Sequence, residues 1–368
     1  MTGEITQRKT QHIDIALNEP VEVPLRNAAT GAAAGAFDRV RLVHQALPDI
    51  NAADVDTRVE FLGKLLSMPL LIGSMTGGTD RAGEINQRLA TAAQATGVGM
   101  CLGSQRVMIE KPQVTDTFAV RNVAPDILLV ANIGAVQLNY GVTADHIRGI
   151  ADSVQADAVV FHLNAAQEAV QPEGDTKFAD LAHRMAEAMP AVGRPCGVKE
   201  VGGGMSIGAA QQFAQMPLAF IESAGRGGTS WTRIEGLRSP QANAALGELF
   251  ADWGVPTVTS LLACVRYGGG VPVVASGGLR SGLDAARAIA LGARVTAMAL
   301  PFLKAADRGV DAVIELIERF RHALATAMFL TGALNVAELQ RVPVRVPAED
   351  MPEVYEGRVA VRDAPLVR

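Results

Sequence analysis

The residues that could do chemistry gather in one stretch, Phe161 to Phe178, FHLNAAQEAVQPEGDTKF. His162, Asn164, Gln167, Glu168, Glu173 and Asp175 follow directly on the apolar run Ala158-Val-Val-Phe161. A short apolar run that breaks into polar residues reads as a buried parallel strand opening into a loop. In α/β proteins that carboxyl end is where ligands sit. The alternation of His162 and Asn164 suits a strand that turns every second side chain inward. Gln167 and Glu168 then fall at its mouth, where a carboxylate could hold a hard divalent cation through oxygen. A polar surface loop capping the next helix fits the same composition. A second cluster, Arg8-Lys9-x-x-His12, is either a solvated N-terminal face or an arm that closes over a phosphate.

Elements able to position these groups recur from residue 69 onward. Eight apolar runs follow one another: 69–73, 97–102, 127–131, 158–161, 195–199, 218–222, 271–276 and 295–299. Their apolarity is continuous rather than alternating, which marks strands buried on both faces. Helix-like segments separate most of them, among them 81–95, 179–188 and 283–291. Eight strand–helix units predict an α/β fold, a TIM (β/α)8 barrel, with a doubly wound sheet as runner-up. The expected organisation is a single domain. An N-terminal arm without a clear period covers 1–60, the barrel core 61–302, and a C-terminal helix (about 311–330) and tail 303–368. Asn27 to Phe37 reads as a Gly/Ala-rich loop, and Val342 to Pro347 as irregular or edge-like.

A barrel should carry its chemistry at the carboxyl ends of its strands. Those ends hold Ser74-Met-Thr-Gly-Gly78, Gly103-Ser-Gln-Arg106, Asn132, the opening stretch, Lys199-Glu200, Gly225-Arg-Gly-Gly-Thr229, Ser276-Gly-Gly-Leu-Arg280 and Ala299-Leu300. Glycine at so many ends lets backbone approach a shared flat or anionic ligand. A Gly-Gly after the seventh strand and a helix after the eighth is a common phosphate site. A lysine at a buried strand end must meet an anion or an electron-rich ring, because burying it alone is costly.

Composition narrows the classes. Aromatic content is only 4%, so the core must be built from small aliphatics in strand-and-helix layers. Net charge is -5 with no dense basic patch, which gives no footprint for nucleic acid. Three cysteines without a Cys-x-x-Cys pattern argue against a zinc site or disulfide framework and fit a reducing, cytoplasmic compartment. The N-terminus is too polar for a signal peptide, and no apolar run is long enough to span a membrane.

With these residues in hand, the chain resembles the type 2, flavin-dependent isopentenyl-diphosphate isomerases, from Arg8 to about residue 330. The matching motifs are Arg8-Lys9-x-x-His12, Met75-Thr-Gly-Gly78, Gly103-Ser-Gln-Arg106, Asn132-x-Gly134, His162-Leu-Asn-x-x-Gln-Glu168, Glu173-Gly-Asp175, Lys199-Glu-Val-Gly202, Gly225-Arg-Gly-Gly-Thr-Ser-Trp231, Trp253-Gly-x-Pro-Thr257 and Ser276-Gly-Gly-x-Arg280. The chain departs from the family's usual pattern at Ile72-Gly-Ser-Met75, Ala165-Ala166 and Gly202-Gly-Gly204, which bears on local packing more than on chemistry.

The resemblance implies FMN at the barrel's C-terminal mouth. Ser74, Met75, Thr76, Ser104, Asn132, Lys199 and Thr229 are expected around the ring, and Gly277, Gly278, Arg280, Ala299 and Leu300 around its phosphate. It implies isopentenyl or dimethylallyl diphosphate held by Arg8, Lys9, His12, Ser104, Gln105, Arg106, Asn164 and Gln167. Mg2+ would sit on Glu168 and bridge the diphosphate. Gln167 and His162 are the side chains for positioning or moving protons, and NADPH serves only to reduce the flavin. No Gly-x-Gly-x-x-Gly fingerprint of a dinucleotide-binding unit is present, so NADPH would share the mouth. A homo-oligomer, tetramer or octamer, is expected from the same resemblance. Two other readings stand beside it: a flavin-dependent 2-hydroxy-acid oxidase and a catalytically silent flavin- or phosphate-binding barrel. The oxidase would need a His base and an Arg pair near the seventh strand, where residues 261–270 supply Arg266 and no His.

Overall fold

The computed structural model describes residues 2–23, 25–26, 33–239, 242–356 and 359–362. All eight apolar runs form strands: β1 (Leu70–Ile72), β2 (Gly99–Cys101), β3 (Leu129–Gly134), β4 (Ala158–Leu163), β5 (Cys196–Glu200), β6 (Phe220–Glu222), β7 (Val273–Ala275) and β8 (Val295–Met298). Each is parallel to its sequence neighbour, and β8 pairs with β1 through Ala297 and Leu71, closing the barrel. The doubly wound alternative is thereby excluded. Strands sealed between side chains inside and helices outside have no polar face, which is why the signal was continuous apolarity. Every residue of β3 is buried.

Helices cover the barrel where expected: Asp80–Thr96, Leu181–Val192, Gly282–Ala290 and Val310–Leu330. The first begins at Thr79, whose hydroxyl accepts from the Ala82 amide, and ends on Gly97 in the left-handed region. The hairpin Val59–Phe61 with Lys64–Leu66 sets Phe61 edge-on against Phe220, the first residue of β6, so it lies at the barrel's amino-terminal end. The chemistry is thus left to the opposite end. Val344–Arg345 pairs with Arg41–Leu42, an edge-like use of the Pro/Val-rich tail.

Two expectations are corrected. Residues 2–18 are not aperiodic but form one α-helix, Thr2–Asn18. Among its described side chains, those of residues 7–18, Ile13 and Ala16 are buried, while Arg8, Lys9 and His12 line a cavity. A helix whose inward face is basic gives no hydrophobic period. Second, β4 does not open into a loop. After Asn164 the chain enters a helix, Ala165–Val170, that carries Gln167 and Glu168. Of the expected Gly/Ala-rich loop, residues 27–32 lie outside the described residues, and Ala33–Ala34 pair with Leu25–Arg26.

Candidate functional site

The carboxyl ends of the strands and the N-terminal helix enclose a cavity of about 210 Å3. Among the residues anticipated from sequence, Arg8, Lys9, His12, Ser74, Met75, Thr76, Ser104, Arg106, Asn132, His162, Asn164, Gln167, Glu168, Lys199, Thr229, Gly277, Gly278, Arg280, Ala299 and Leu300 all line it. Gln105 does not. It is fully buried, its Oε1 accepts from the Asn132 amide at 3.0 Å, and its Nε2 faces Met108 Sδ at 3.3 Å. Its side chain fastens the β2 end to β3, so the geometry speaks for a structural part and against substrate contact.

The floor is built from glycine. Gly277 and Gly278 have φ of 88° and 97°, a region that excludes most L side chains. A Cβ on Gly277 would lie 2.6 Å from the Gly225 amide nitrogen, and one on Gly278 would lie 2.2 Å from the Gly227 carbonyl oxygen. The loops after β6 and β7 therefore touch backbone to backbone. Beside them the helix Leu300–Arg308 starts at Ala299. Arg280 pairs with Glu22, and burial depresses its basicity. Ser74 Oγ is buried with no protein partner. Unfilled donors, bare backbone and an arginine at a helix N-terminus fit a flat, phosphorylated cofactor such as FMN.

On the opposite wall stand the titratable groups. His162 Nδ1 lies 2.8 Å from Asn132 Oδ1, and Asn132 Nδ2 donates to Leu102 O at 3.1 Å. That second bond orients the amide, so His162 must carry its proton on Nδ1 and keep Nε2 as a lone pair. Burial, then the charges of Lys199 and Lys9, push the imidazole down to about 3. A role as proton donor near neutrality is thereby disfavoured. Lys9 Nζ donates to Ser104 O at 2.9 Å and lies 5.1 Å above the Phe118 ring. Burial, then Arg8, brings it down to about 7. Arg106 pairs with Asp175 and with Glu110 at 3.1 Å.

Glu168 is buried and held chiefly by Asn164 Nδ2, which donates to Oε1 at 2.7 Å, and by the Asp175 amide, which donates to Oε2 at 2.7 Å. Burial raises its pKa above the ordinary carboxylate value, partly opposed by those bonds. Among the described residues no group of three His, Cys, Asp or Glu side chains could by itself hold a metal. One carboxylate is nevertheless adequate for Mg2+, which keeps waters and takes substrate oxygens.

Glu235, from the helix Trp231–Arg238, went unnoticed in the sequence. It is fully buried and accepts from Gln167 Nε2 at 2.8 Å and Arg238 Nε at 2.8 Å, with His12 Nε2 at 3.0 Å. Burial opposes its charge, but those three partners hold the carboxyl down to about 2. His12 also stands edge-on to Trp231, with ring centroids 5.3 Å apart. In sequence Glu235 sits among Thr, Arg and Gly and looks like a surface residue. Gln137, which donates to Asp175 at 2.9 Å and lines the cavity, had no local signal either.

The arrangement can seat a planar phosphorylated ring on one side and hold a second anion under Arg8, Lys9 and Arg106. Between them it offers a neutral imidazole and a fixed amide. Known proteins share this frame. A family model for FMN-dependent dehydrogenases matches residues 26–241 and 251–345. An isopentenyl-diphosphate delta-isomerase of a Synechococcus species is 45% identical over 346 residues, covering 94% of this chain and 97% of the relative. That of Rickettsia bellii is 44% identical over 341 residues, 92% of this chain and 97% of the relative. Among solved structures, a mandelate oxidase mutant with the C4a-OH-FMN adduct superposes with a TM-score of 0.63, covering 94% of this chain and 99% of that one. Its identity is only 18%, so the likeness is one of fold.

Proposed function

The chain belongs to the FMN-dependent dehydrogenase family and to the isopentenyl-diphosphate delta-isomerases, and from that premise we propose that its barrel mouth turns isopentenyl diphosphate into dimethylallyl diphosphate. One proton is added to the terminal alkene carbon and another leaves the carbon two bonds away, so no net electrons move. The observation that carries the reading is the joining, in one cavity, of a glycine floor with a cationic arm and the Gln167 amide, which Glu235 holds from behind the cavity wall.

Ser74, Met75, Thr76, Ser104, Asn132, Lys199 and Thr229 would hold the FMN ring. Gly277, Gly278, Arg280, Ala299 and Leu300 would hold its phosphate. Bound there and reduced, FMN supplies an electron-rich ring that favours positive charge developing on the alkene. Arg8, Lys9 and Arg106 take the substrate diphosphate. An anion beside Lys9 restores the charge that burial withdraws, so binding and protonation of Lys9 are linked. His162 offers Nε2 as a lone-pair acceptor on the polar wall, able to take a hydrogen bond from a protonated group but not from the diphosphate oxygens. Gln167 is fixed by Glu235 and supplies a positioned amide; an amide is a poor proton carrier, so its part is positioning. Ser104 and Asn164 complete the polar wall. His12 acts through Glu235.

Glu168 would bind Mg2+, whose remaining sites go to water and the diphosphate. NADPH would reach the flavin through the same mouth. Exposed Leu249 and Trp253 support a homo-oligomer, for which the family resemblance implies a tetramer or octamer, and three buried free cysteines support a reducing compartment such as the cytoplasm. No described helix is long and apolar enough to cross a membrane.

The test is to load the purified protein with FMN, reduce it anaerobically with NADPH, and add isopentenyl diphosphate with Mg2+. Dimethylallyl diphosphate formed in excess of the NADPH consumed is the expected result. Flavin reduction by a 2-hydroxy acid, with no isomerisation, would replace this reading by the oxidase one.

A further inference from the structure

One register row crosses three adjacent strands at the cavity wall. Lys199 on β5 pairs with His162 on β4 and with Glu222 on β6. All three side chains line the cavity. Lys199 Nζ donates to Glu200 O at 2.9 Å and stands 3.9 Å from Glu222 Oε1. Both members of the ion pair are buried, at 7% and 4% exposure. The substrate cannot account for Glu222, because a carboxylate repels a diphosphate. Its chain neighbours Phe220, Ile221 and Ser223 are fully or almost fully buried, so Glu222 is a lone carboxylate in an otherwise closed wall. Its charge is felt nearby: burial first, then Glu222, raises the Cys101 thiol well above its ordinary value.

We infer that Glu222 is a positioning residue that holds Lys199 and offsets its charge, and thereby sets how strongly the site prefers reduced over oxidised flavin. This rests on the proposed flavin site. A cation beside the ring favours the form with more electrons, and a carboxylate beside that cation takes part of the preference back. In a buried pair neither effect is screened away by water. Lys199 keeps its grip on the ring, while Glu222 keeps the reduced ring electron-rich. An isomerase that uses a reduced flavin without spending its electrons gains from that balance.

The experiment is a dye-equilibrated anaerobic titration of the FMN-loaded protein, comparing Glu222→Gln, Glu222→Asp and Lys199→Met with the parent. Glu222→Gln should raise the affinity for reduced relative to oxidised FMN about tenfold or more, a rise of about 30 mV for a two-electron couple. Lys199→Met should move the potential the other way, and Glu222→Asp should stay close to the parent. If Lys199→Met shifts the potential while Glu222→Gln leaves it unchanged, the inference is overturned. If neither shifts it, the flavin does not face this row, and the site reading falls with the inference. Should Glu222→Gln bind FMN too weakly to stay loaded, its affinities for oxidised and for reduced FMN are titrated separately. Their ratio should favour the reduced form about tenfold more than in the parent, and an unchanged ratio overturns the inference.

Discussion

The charge state of His162 can be tested without any assumption about turnover. Lowering its pKa from the ordinary 6.5 to about 3 favours the neutral ring by about 5 kcal/mol, at 1.36 kcal/mol per unit. Burial contributes most, then Lys199, then Lys9. Because the folded value lies below the unfolded one, the stability tied to this group is complete above pH 6.5. It is lost at about 1.4 kcal/mol per pH unit as pH falls toward about 3. The assay is nitrogen NMR of histidine-labelled protein prepared without flavin. His162 should remain the Nδ1-protonated neutral tautomer at least down to about pH 5, where an ordinary histidine is mostly charged. Asn132→Ala, which removes the acceptor 2.8 Å from Nδ1, should mix the two tautomers. Adding inorganic diphosphate should raise the midpoint, because an anion favours the charged ring. A His162 midpoint near the ordinary value, or an Nε2-protonated ring, would refute the reasoning and return His162 to candidacy as the acid.

Other outcomes follow from the same geometry. Glu235→Gln should destabilise the protein at pH 7 by about 3 kcal/mol, from a carboxyl held at about 2 rather than the ordinary 4.5. Urea unfolding of the two proteins should converge as pH falls from 4.5 toward about 2, and a constant gap would contradict the assignment. Glu168→Gln should raise the Mg2+ concentration needed for half-maximal turnover about tenfold or more, because a neutral amide is a weak ligand for a hard cation. Unchanged magnesium titrations would remove Glu168 from that role. Gly278→Ala places a Cβ 2.2 Å from the Gly227 carbonyl oxygen at φ 97°, so the β6 and β7 loops must part. Flavin retention on gel filtration should fall sharply, and a fully yellow variant would show that the loops do not cradle the phosphate.

What could be read in the sequence divides along a physical line. The eight strands announced themselves because burial on both faces demands unbroken aliphatic runs, and each run became a strand within about three residues of its expected ends. The glycine floor was legible because only glycine tolerates Gly277 and Gly278 conformations. The N-terminal helix was not, because the face it turns to the barrel is basic and breaks the apolar period. Gln105 was misplaced for a related reason. Side-chain amides serve backbone and ligand equally well, and nothing local distinguishes Gln105 from Gln167.

Glu235 and Glu222 mark where sequence reading runs out. Each is one ordinary-looking glutamate in a polar or strand context, and each is buried only because three-dimensional closure brings cations to it. A buried carboxylate persists when its partners repay desolvation, as His12, Gln167 and Arg238 do for Glu235. Those partners lie on the N-terminal helix, on the helix after β4 and on Glu235's own helix. Glu235 therefore ties the cationic arm to the wall that carries Gln167. Binding an anion under Arg8 and Lys9 and fixing the Gln167 amide become parts of one closure.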